Sequence, residues 1–285
     1  MSQSAYAAPA TLDEIVGLLA GNPGAHLLAG GQNLLLEPHR SQITGSLLVD
    51  LRNVPGLAAI QASAGGGVRI GAMTTIGAIA DNAAIRDVSP VLAETAAIVG
   101  DAQVRNRATL GGALVAAEPG SDLAPVLLVL GVVLEITGPK GARSLDASAF
   151  FTGPGKTALS PAEVITGITI PSTVTGAAYE RMKDPATLYA VCGVAACVVL
   201  SQQGAIARCQ IAATGSTAYP MRLPAIEKAL TGAKPDAAAV SAAAGAITDD
   251  DGFRGNFYAS KEYRVHLTRV LTERALKRAV ARATT

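Results

Sequence analysis

Two pairs of glycines constrain the fold of this chain of 285 residues more than any other feature. Gly30-Gly31 directly follows a short apolar segment, and Gly111-Gly112 lies in a stretch rich in Arg, Asn and Gly. Glycine adopts positive φ at no steric cost and lets another group approach the backbone closely. Successive N–H groups without side chains between them can also point together at a phosphate. Neither pair belongs to a G-x-G-x-x-G or Walker A sequence, so each pair by itself favours a structural turn.

The composition indicates a folded protein with a sizeable core. Hydrophobic residues make up 49% of the chain and charged residues 16%, whereas disordered segments combine high charge with few apolar residues. The length fits two domains. The formal net charge is +1, and no basic stripe with interleaved aromatic residues is present, so no nucleic-acid partner is expected.

The cysteines predict neither a metal site nor a disulfide framework. Cys192, Cys197 and Cys209 lie in or beside apolar, strand-like runs, which favours buried structural thiols. A plant-type [2Fe–2S] site needs four thiolates, and the histidines are too scattered for a zinc site. An unclustered, odd number of cysteines and the absence of a signal-peptide pattern predict a cytoplasmic protein. The apolar runs 123–134 and 190–200 are too short to cross a bilayer.

Short strands and helices are expected to alternate in the first half of the chain. Thr11 and Glu14 form a capping-box pattern, which predicts a helix that ends before Asn22. The segment 100–112 is expected to be a loop. The other predicted elements are strands at 26–29, 46–51, 67–72 and 163–170, a hairpin over 132–145, and helices starting near 74, 89 and 123.

The second half has a different character. Residues 171–176 are interpreted as a linker. Leu267, Leu271 and Ala275 belong to an apolar stripe along the last predicted helix. The predicted elements are three strands at 177–182, 189–200 and 205–213, followed by helices at 224–230, 237–247 and 260–283. Meandering strands followed by helices predict an α+β domain with a three-stranded antiparallel sheet.

A carboxylate, Asp122, follows the second glycine pair. Such a group can accept hydrogen bonds from the hydroxyl groups of a ribityl or ribose unit. Alternatively, Asp122 caps the helix predicted to start at Leu123.

Taken together, these motifs resemble those of the FAD-binding medium subunits of molybdenum hydroxylases, such as carbon monoxide dehydrogenase and xanthine dehydrogenase. Those subunits carry A-G-G-x-S-L, T-I-G-G-N and D-P-x-x-D-L motifs, which correspond here to residues 29–34, 109–113 and 118–123. Further matches are residues 49–52, 70–75, 163–171, 179–183 and the closing helix. The resemblance covers nearly the whole chain, with its motifs in the family's order and spacing.

The resemblance implies an α+β fold of the vanillyl-alcohol-oxidase, or PCMH, type. An FAD-binding domain is expected over residues 1–173, with subdomains at about 1–53 and 54–173, followed by a C-terminal domain over 174–285. The pyrophosphate of FAD is expected between the two glycine loops. The implied cofactor-binding residues are Leu28, Ala29, Gly30, Gly31, Gln32, Asn33, Leu34, Thr109, Leu110, Gly111, Gly112, Ala113, Asp122, Ile165, Lys183 and Tyr189. The last three of these come from the resemblance alone, which places Tyr189 near the isoalloxazine ring.

Several positions depart from the family's motifs. The usual Ser is Asn33, which keeps a polar group, and the usual Asp is Glu118. The usual Asn is Ala113, which lacks a side-chain donor. Because a net hydrogen bond contributes about 0.5–1.5 kcal/mol, FAD is expected to bind more weakly without being lost. The Asp-Pro pair that follows Lys183 also differs from the pattern.

The resemblance further implies an electron-transfer subunit within a larger enzyme. A substrate is hydroxylated at a molybdopterin cofactor on a large subunit. Electrons then pass through [2Fe–2S] clusters on a small subunit to the FAD of this chain, and on to NAD⁺, a quinone, oxygen or another acceptor. The assembly is expected to be a dimer of heterotrimers, and no side chain of this subunit is expected to be a catalytic acid or base.

Two alternatives remain open. A self-sufficient flavin oxidase or reductase on the same fold would need a substrate-facing group, for which Glu180, Ser216 and Tyr258 are candidates. A non-catalytic assembly module that has lost flavin is the other alternative, and Ala113 is the feature that favours it.

Overall fold

The computed structural model describes residues 4–36, 43–248 and 252–284, and its first part is a small α/β unit. Strands β1 (Ala5–Ala7), β2 (His26–Leu28) and β3 (Leu47–Asp50) pair in parallel in the order β1-β3-β2, next to helix α1 (Leu12–Gly21). The predicted capping box is confirmed. Thr11 Oγ1 accepts the N–H of Glu14 at 3.2 Å, and the Glu14 carboxylate accepts the N–H of Thr11 at 3.3 Å. Ile15 and Val49 are fully buried in the core of this unit.

The next unit is an antiparallel five-stranded sheet covered by helices. Its strands are β4 (Ile60–Ser63), β5 (Gly67–Gly71), β6 (Val133–Gly138), β7 (Gly141–Asp146) and β10 (Val164–Ile170). Strands β8 (Phe151–Gly153) and β9 (Lys156–Thr157) form a separate two-stranded ribbon. The sheet order is β4-β5-β10-β6-β7, and the predicted hairpin is confirmed as β6–β7. The helices are α2 (Ile76–Asp81), α3 (Ala83–Val88), α4 (Pro90–Ile98), α5 (Ala102–Arg105), α6 (Leu110–Ala116) and α7 (Leu123–Leu130). Helix α7 is buried along its whole length.

The segment 100–112 is not the loop that the sequence suggested. It contains α5 and the first turn of α6. Thr109 has an extended backbone and caps α6, because its hydroxyl accepts the N–H of Gly112 at 3.2 Å. A threonine cap of this kind stabilises a helix start by about 1 kcal/mol, which is comparable to the cost of a glycine inside a helix. The second glycine pair therefore lies in a helix start.

The C-terminal sheet has four strands, one more than predicted. They are β11 (Ala177–Lys183), β12 (Ala190–Leu200), β13 (Ile206–Thr214) and β14 (Met221–Arg222), in that order and antiparallel. Strand β14 has two residues, too few to show an alternating pattern in the sequence. The helices are α8 (Pro224–Leu230), α9 (Ala237–Gly245) and α10 (Lys261–Ala283), close to their predicted positions.

One face of the C-terminal sheet shares a core with the preceding unit. Ala195, Cys197 and Ala212 pack in the same cluster as the buried helix α7. On the opposite face, Val194 and Ala196 pack in a second cluster that includes the apolar stripe of α10. The chain on the two sides of residues 171–176 therefore contributes to one continuous core.

The cysteines are buried free thiols, as predicted. Burial raises the pKa of each thiol, to about 12 for Cys209, which disfavours the reactive thiolate. Within residues 4–36, 43–248 and 252–284, no helix combines the length and apolar character needed to span a membrane. In the same ranges, no group of three or more His, Cys, Asp or Glu side chains is placed to hold a metal ion.

Candidate cofactor-binding site

The two glycine segments are far apart in sequence but contact each other directly. A Cβ on Gly30 would overlap the carbonyl oxygen of Arg107, just before α6. A Cβ on Gly112 would lie 3.7 Å from the Cβ of Ala29. These glycines therefore allow backbone to approach backbone, which brings the end of β2 against the start of α6.

Both segments line one cleft of ≈ 520 Å³, called here the glycine cleft. Of the predicted residues, the cleft is lined by Ala29, Gly30, Gly31, Gln32, Asn33, Leu34, Thr109, Gly111, Gly112, Ala113 and Ile165. Leu28 and Leu110 do not line it, because both side chains are buried in the core. Leu28 and Leu110 are therefore adjacent to the cleft in sequence, but their side chains pack in the core and do not face a ligand.

The first segment supplies free backbone donors. Within the described part of the chain, the N–H groups of residues 30–34 have no hydrogen-bond partner. Gly31 has φ of 76°, the left-handed conformation that glycine adopts most readily. Unpaired N–H groups beside a cleft suit the oxygens of a phosphate group.

Residues 110–113 of the second segment do not supply such donors, although the sequence suggested that the N–H groups of both glycine pairs could face a phosphate. The N–H of Leu110 donates to the oxygen of Thr74 at 3.0 Å, and that of Gly111 to the oxygen of Ala72 at 2.8 Å. The N–H of Ala113 donates within α6. This segment instead contributes its small side chains and the wall opposite residues 30–34.

A second cleft of ≈ 300 Å³ adjoins the first and is called here the tyrosine cleft. The two clefts share Gln32, Asn33, Ala108, Ala113 and Glu118 among their lining residues. The rest of the tyrosine cleft is largely apolar and includes Val99, Leu123, Leu188 and Tyr189. A long ligand can therefore extend from the free N–H groups into an apolar compartment.

Asp122 lies on the wall of the tyrosine cleft and does not cap α7. Its carboxylate accepts hydrogen bonds from Tyr179 Oη at 2.7 Å and from Arg181 Nη1 at 2.5 Å. Burial raises the pKa of Asp122 to about 6, although Arg181 and Tyr179 act in the opposite direction. The alternative reading of Asp122 as a helix cap was wrong.

Arg181 connects three walls of the tyrosine cleft. Besides Asp122, its guanidinium donates to the carbonyl oxygens of Ile98 at 2.6 Å and Leu188 at 3.3 Å. Leu188 has φ of 62°, which is uncommon for a residue with a branched side chain. Arg181 therefore holds the turn that presents Tyr189. The sequence did not single out Arg181 or Tyr179, although both lie in the motif 179–183. The two residues are two positions apart in β11, so their side chains lie on the same face of the strand.

Lys183 belongs to the same strand but is exposed and lines none of these clefts. A register shift between Met182 and Lys183 interrupts the alternation that would align Lys183 with Arg181. Its predicted contact with FAD stays a prediction. Ile165, the other residue chosen by resemblance on this side, does line the glycine cleft.

A third cleft of ≈ 380 Å³ lies on the other side of Tyr189. Tyr258, one of the candidate substrate-facing groups, lines it together with Arg254 and Asn256. The other two candidates are occupied elsewhere. Glu180 pairs with Arg278 at 3.1 Å, and buried Ser216 shares a hydrogen bond with Thr268 at 3.0 Å.

Comparisons with known proteins place the chain among subunits of molybdenum-containing oxidoreductases. Residues 2–173 match the family described as "FAD binding domain in molybdopterin dehydrogenase", and residues 177–279 match "CO dehydrogenase flavoprotein C-terminal domain". The chain is 36% identical to a carbon monoxide dehydrogenase medium chain of Afipia carboxidovorans, over 98% of this chain and 97% of that one. It is 32% identical to a nicotine 6-hydroxylase medium subunit of Paenarthrobacter nicotinovorans, over 97% of each chain.

Solved structures agree with these matches. A chain of a Cu,Mo-CO dehydrogenase superposes with a TM-score of 0.92 at 32% identity, covering 99% of this chain and 100% of that one. A chain of quinoline 2-oxidoreductase from Pseudomonas putida 86 superposes with a TM-score of 0.90 at 29% identity, covering 99% and 98%. The whole architecture, including the C-terminal sheet and helices, is therefore shared with these enzymes.

Proposed function

We propose a specific role for this chain on the premise, established by these comparisons, that it belongs to the FAD-binding medium subunits of the molybdenum hydroxylases. The chain receives electrons from [2Fe–2S] clusters of a small subunit and passes them to NAD⁺, a quinone, oxygen or another acceptor. A large subunit carries the molybdopterin cofactor and the organic substrate. Bound FAD supplies the redox chemistry, and the protein orients the cofactor and limits access to it.

One observation carries the proposal: the glycine cleft, with its free N–H groups, opens into the apolar tyrosine cleft. In bound FAD, the N–H groups of residues 30–34 would hold the pyrophosphate. Asp122, oriented by Arg181, would accept a hydrogen bond from the ribityl chain, and Tyr189 would lie beside the ring. Ala113 places a methyl group where relatives carry an amide, so one donor is missing while the cleft is intact.

The side chains in these clefts also support an electron-transfer role. Of the three candidate substrate-facing groups, Glu180 and Ser216 line none of the three clefts, and Tyr258 lines only the third, not the glycine or tyrosine cleft. This supports dependence on another subunit for substrate oxidation. We further propose that the complete enzyme is a cytoplasmic dimer of three-chain units, as the family resemblance implies.

The test is to express the chain with and without its partner chains and to analyse flavin, iron and molybdenum. We expect about one FAD per chain in both preparations, and iron and molybdenum in the complex. Under anaerobic conditions the organic substrate should reduce the flavin of the complex and leave the flavin of the isolated chain oxidised. Reduction of the isolated chain by that substrate would support a self-sufficient oxidoreductase instead, and a folded, colourless chain would indicate loss of flavin.

A further inference from the structure

The third cleft contains a buried cation that has no part in the proposed flavin site. Arg264, near the start of α10, lines this cleft and is 6% exposed. Its guanidinium donates to two uncharged oxygen atoms, the carbonyl oxygen of Gly215 and Oδ1 of Asn256, the latter at 2.7 Å. Its Nε is buried and has no hydrogen-bond partner in the described part of the chain. The guanidinium therefore has neutral acceptors only, and one N–H group without any.

No carboxylate compensates the charge of Arg264. It forms no ion pair within residues 4–36, 43–248 and 252–284, and Glu262, on the same turn of α10, does not line the cleft. Burial lowers the pKa of Arg264, and the group that opposes this effect is the Cys192 thiol, whose own pKa is raised by burial. A buried charge is costly unless it is paired, so an anion bound at this guanidinium would be strongly favoured.

A second arginine, Arg254, lines the same cleft. It is exposed, and it too forms no ion pair with the residues that the structure describes. Its backbone N–H donates to the oxygen of Ser216 at 2.9 Å, which fixes residue 254 beside the segment that accepts from Arg264. Planar guanidinium groups bind phosphate oxygens with paired hydrogen bonds, so two of them at one cleft favour an anion with several charged oxygens.

Two carboxylates also line the third cleft, and each is engaged by its own neighbours. Asp184 accepts the N–H groups of Ala186 at 3.0 Å and Thr187 at 2.7 Å, together with the Thr187 hydroxyl at 3.0 Å, and these bonds lower its pKa. Glu118 accepts Asn33 Nδ2 at 3.4 Å, on the side of the glycine cleft. Neither carboxylate pairs with the two arginines, whose charges are therefore available to a ligand.

Aromatic rings accompany the cations. Tyr258 is 59% exposed and Tyr189 is 46% exposed, and both line the third cleft. The Oδ1 of Asn256 accepts the N–H of Tyr258 at 3.0 Å as well as Arg264 Nη2, so one turn fixes both the ring and the guanidinium. A cleft of ≈ 380 Å³ with aromatic walls and a few polar anchors has the size and character of a small-ligand site. It suits a planar ring that carries an anionic group.

We propose that the third cleft binds a small organic phosphate, with its phosphate at Arg264 and Arg254 and its ring against Tyr258. The site is separate from residues 30–34 of the glycine cleft, where the pyrophosphate of FAD is proposed to lie. Tyr189 lines both the third cleft and the tyrosine cleft, so a ligand seated here restricts the side chain beside the flavin. Binding at Arg264 does not depend on the proposed function, whereas an effect on the flavin does.

The test is calorimetric titration of the FAD-loaded chain with ADP and, separately, with inorganic phosphate. Bound FAD keeps ADP out of the glycine cleft. We expect one site for ADP and weaker binding of phosphate, which lacks the ring. Arg264→Met should abolish binding of both probes. Arg254→Gln should weaken both by about three- to tenfold, because a charge-assisted hydrogen bond is lost, and Tyr258→Ala should weaken ADP alone.

The matched control is Arg274→Gln, at an exposed arginine of α10 outside the three clefts, which should bind both probes as the wild type does. If Arg264→Met does not fold, Arg254→Gln and Tyr258→Ala still decide, because both positions are exposed.

The outcomes separate this inference from the proposed function. Normal FAD content without saturable ADP binding overturns the phosphate site and leaves the electron-transfer role intact. ADP binding that Arg254→Gln leaves unchanged also overturns it, and equal affinities for ADP and inorganic phosphate exclude a site for organic phosphates. A folded chain that takes up no FAD but binds ADP with the expected dependence on Arg254 and Arg264 contradicts the proposed function and supports this site.

Discussion

Gly30 and Gly111 cannot be replaced by larger residues without a shift, because neighbouring atoms occupy the space that a Cβ would need. A Cβ on Gly111 would lie 2.8 Å from the Cβ of Ala72, and one on Gly30 would overlap backbone next to α6. Gly30→Val and Gly111→Val should therefore push apart the two walls of the glycine cleft. We expect each variant to lose FAD while the C-terminal sheet stays folded, as measured by flavin absorbance and circular dichroism.

Gly24→Val is the matched control for this pair. A Cβ at Gly24 meets nothing within 4 Å, so that variant should keep its FAD. Full flavin occupancy in both Gly30→Val and Gly111→Val would show that the cleft between these segments is not the cofactor site.

Ala113 offers a gain-of-binding test. It lines both the glycine cleft and the tyrosine cleft, at the position where the related motif has Asn. Ala113→Asn restores a side-chain donor, and one net hydrogen bond of about 0.5–1.5 kcal/mol corresponds to roughly two- to tenfold tighter FAD binding. Equilibrium titration of the apoprotein with FAD measures the change. Ala246→Asn, at an exposed helix end, should leave affinity unchanged, and weaker binding by Ala113→Asn would show that the side chain obstructs the ligand.

Asp122 predicts a pH dependence of stability. Its pKa is raised from 3.8 to about 6 in the folded protein, so the folded state holds this proton more tightly than the unfolded chain does. The stabilisation is complete below the unfolded pKa and is lost as the pH rises through about 6. The free energy of unfolding of the wild-type apoprotein, relative to Asp122→Asn, should therefore rise by on the order of 2 kcal/mol from pH 8 to pH 4. Urea titrations that give a pH-independent difference would contradict this.

At the scale of elements, hydrogen bonds from Arg181 connect β11 to the end of α4 and to the turn before β12. Arg181→Met leaves the buried carboxylate of Asp122 without its cation, and breaking a buried ion pair typically costs about 3–5 kcal/mol. We expect that loss in urea denaturation, together with faster hydrogen exchange over residues 184–189. The double variant Arg181→Met/Asp122→Asn should recover part of the loss, since its carboxylate is gone. Absence of any recovery would mean that the pair is not coupled.

Elements with regular patterns were predictable, and those that depend on a neighbour were not. Helices α1 and α10 and the long strands follow from capping and hydrophobic periodicity, which are local. Strand β14 exists because β13 offers it a partner, and α5 and α6 form in a Gly-rich stretch because their caps and neighbours outweigh propensity. Within the site, the glycine loops were visible in the sequence, whereas the role of Arg181 depends on carbonyl oxygens 83 and 7 residues away.

At the scale of the whole molecule, the C-terminal sheet and α7 share a core. This predicts one cooperative unfolding transition despite the linker-like segment 171–176. In urea, flavin release and the exposure of the buried thiols should have the same midpoint. Leu127→Ala in α7 should lower the free energy of unfolding by about 2–5 kcal/mol and shift both midpoints together. Two separated midpoints would show that the parts on either side of residues 171–176 unfold independently.

The sequence by itself determined where the backbone lacks side chains, which faces of the helices and strands are apolar, and which family the motifs resemble, because these properties are local or are carried by spacing. Only the tertiary structure decided that Gly30 packs against the residues just before α6 and that Asp122 is held by Tyr179 and Arg181. It also decided that residues 30–34 keep free N–H groups, whereas the N–H groups of residues 110–113 are hydrogen-bonded. Those features depend on which distant groups meet, and a hydrogen bond or steric contact between residues far apart in sequence leaves no periodic signal along the chain.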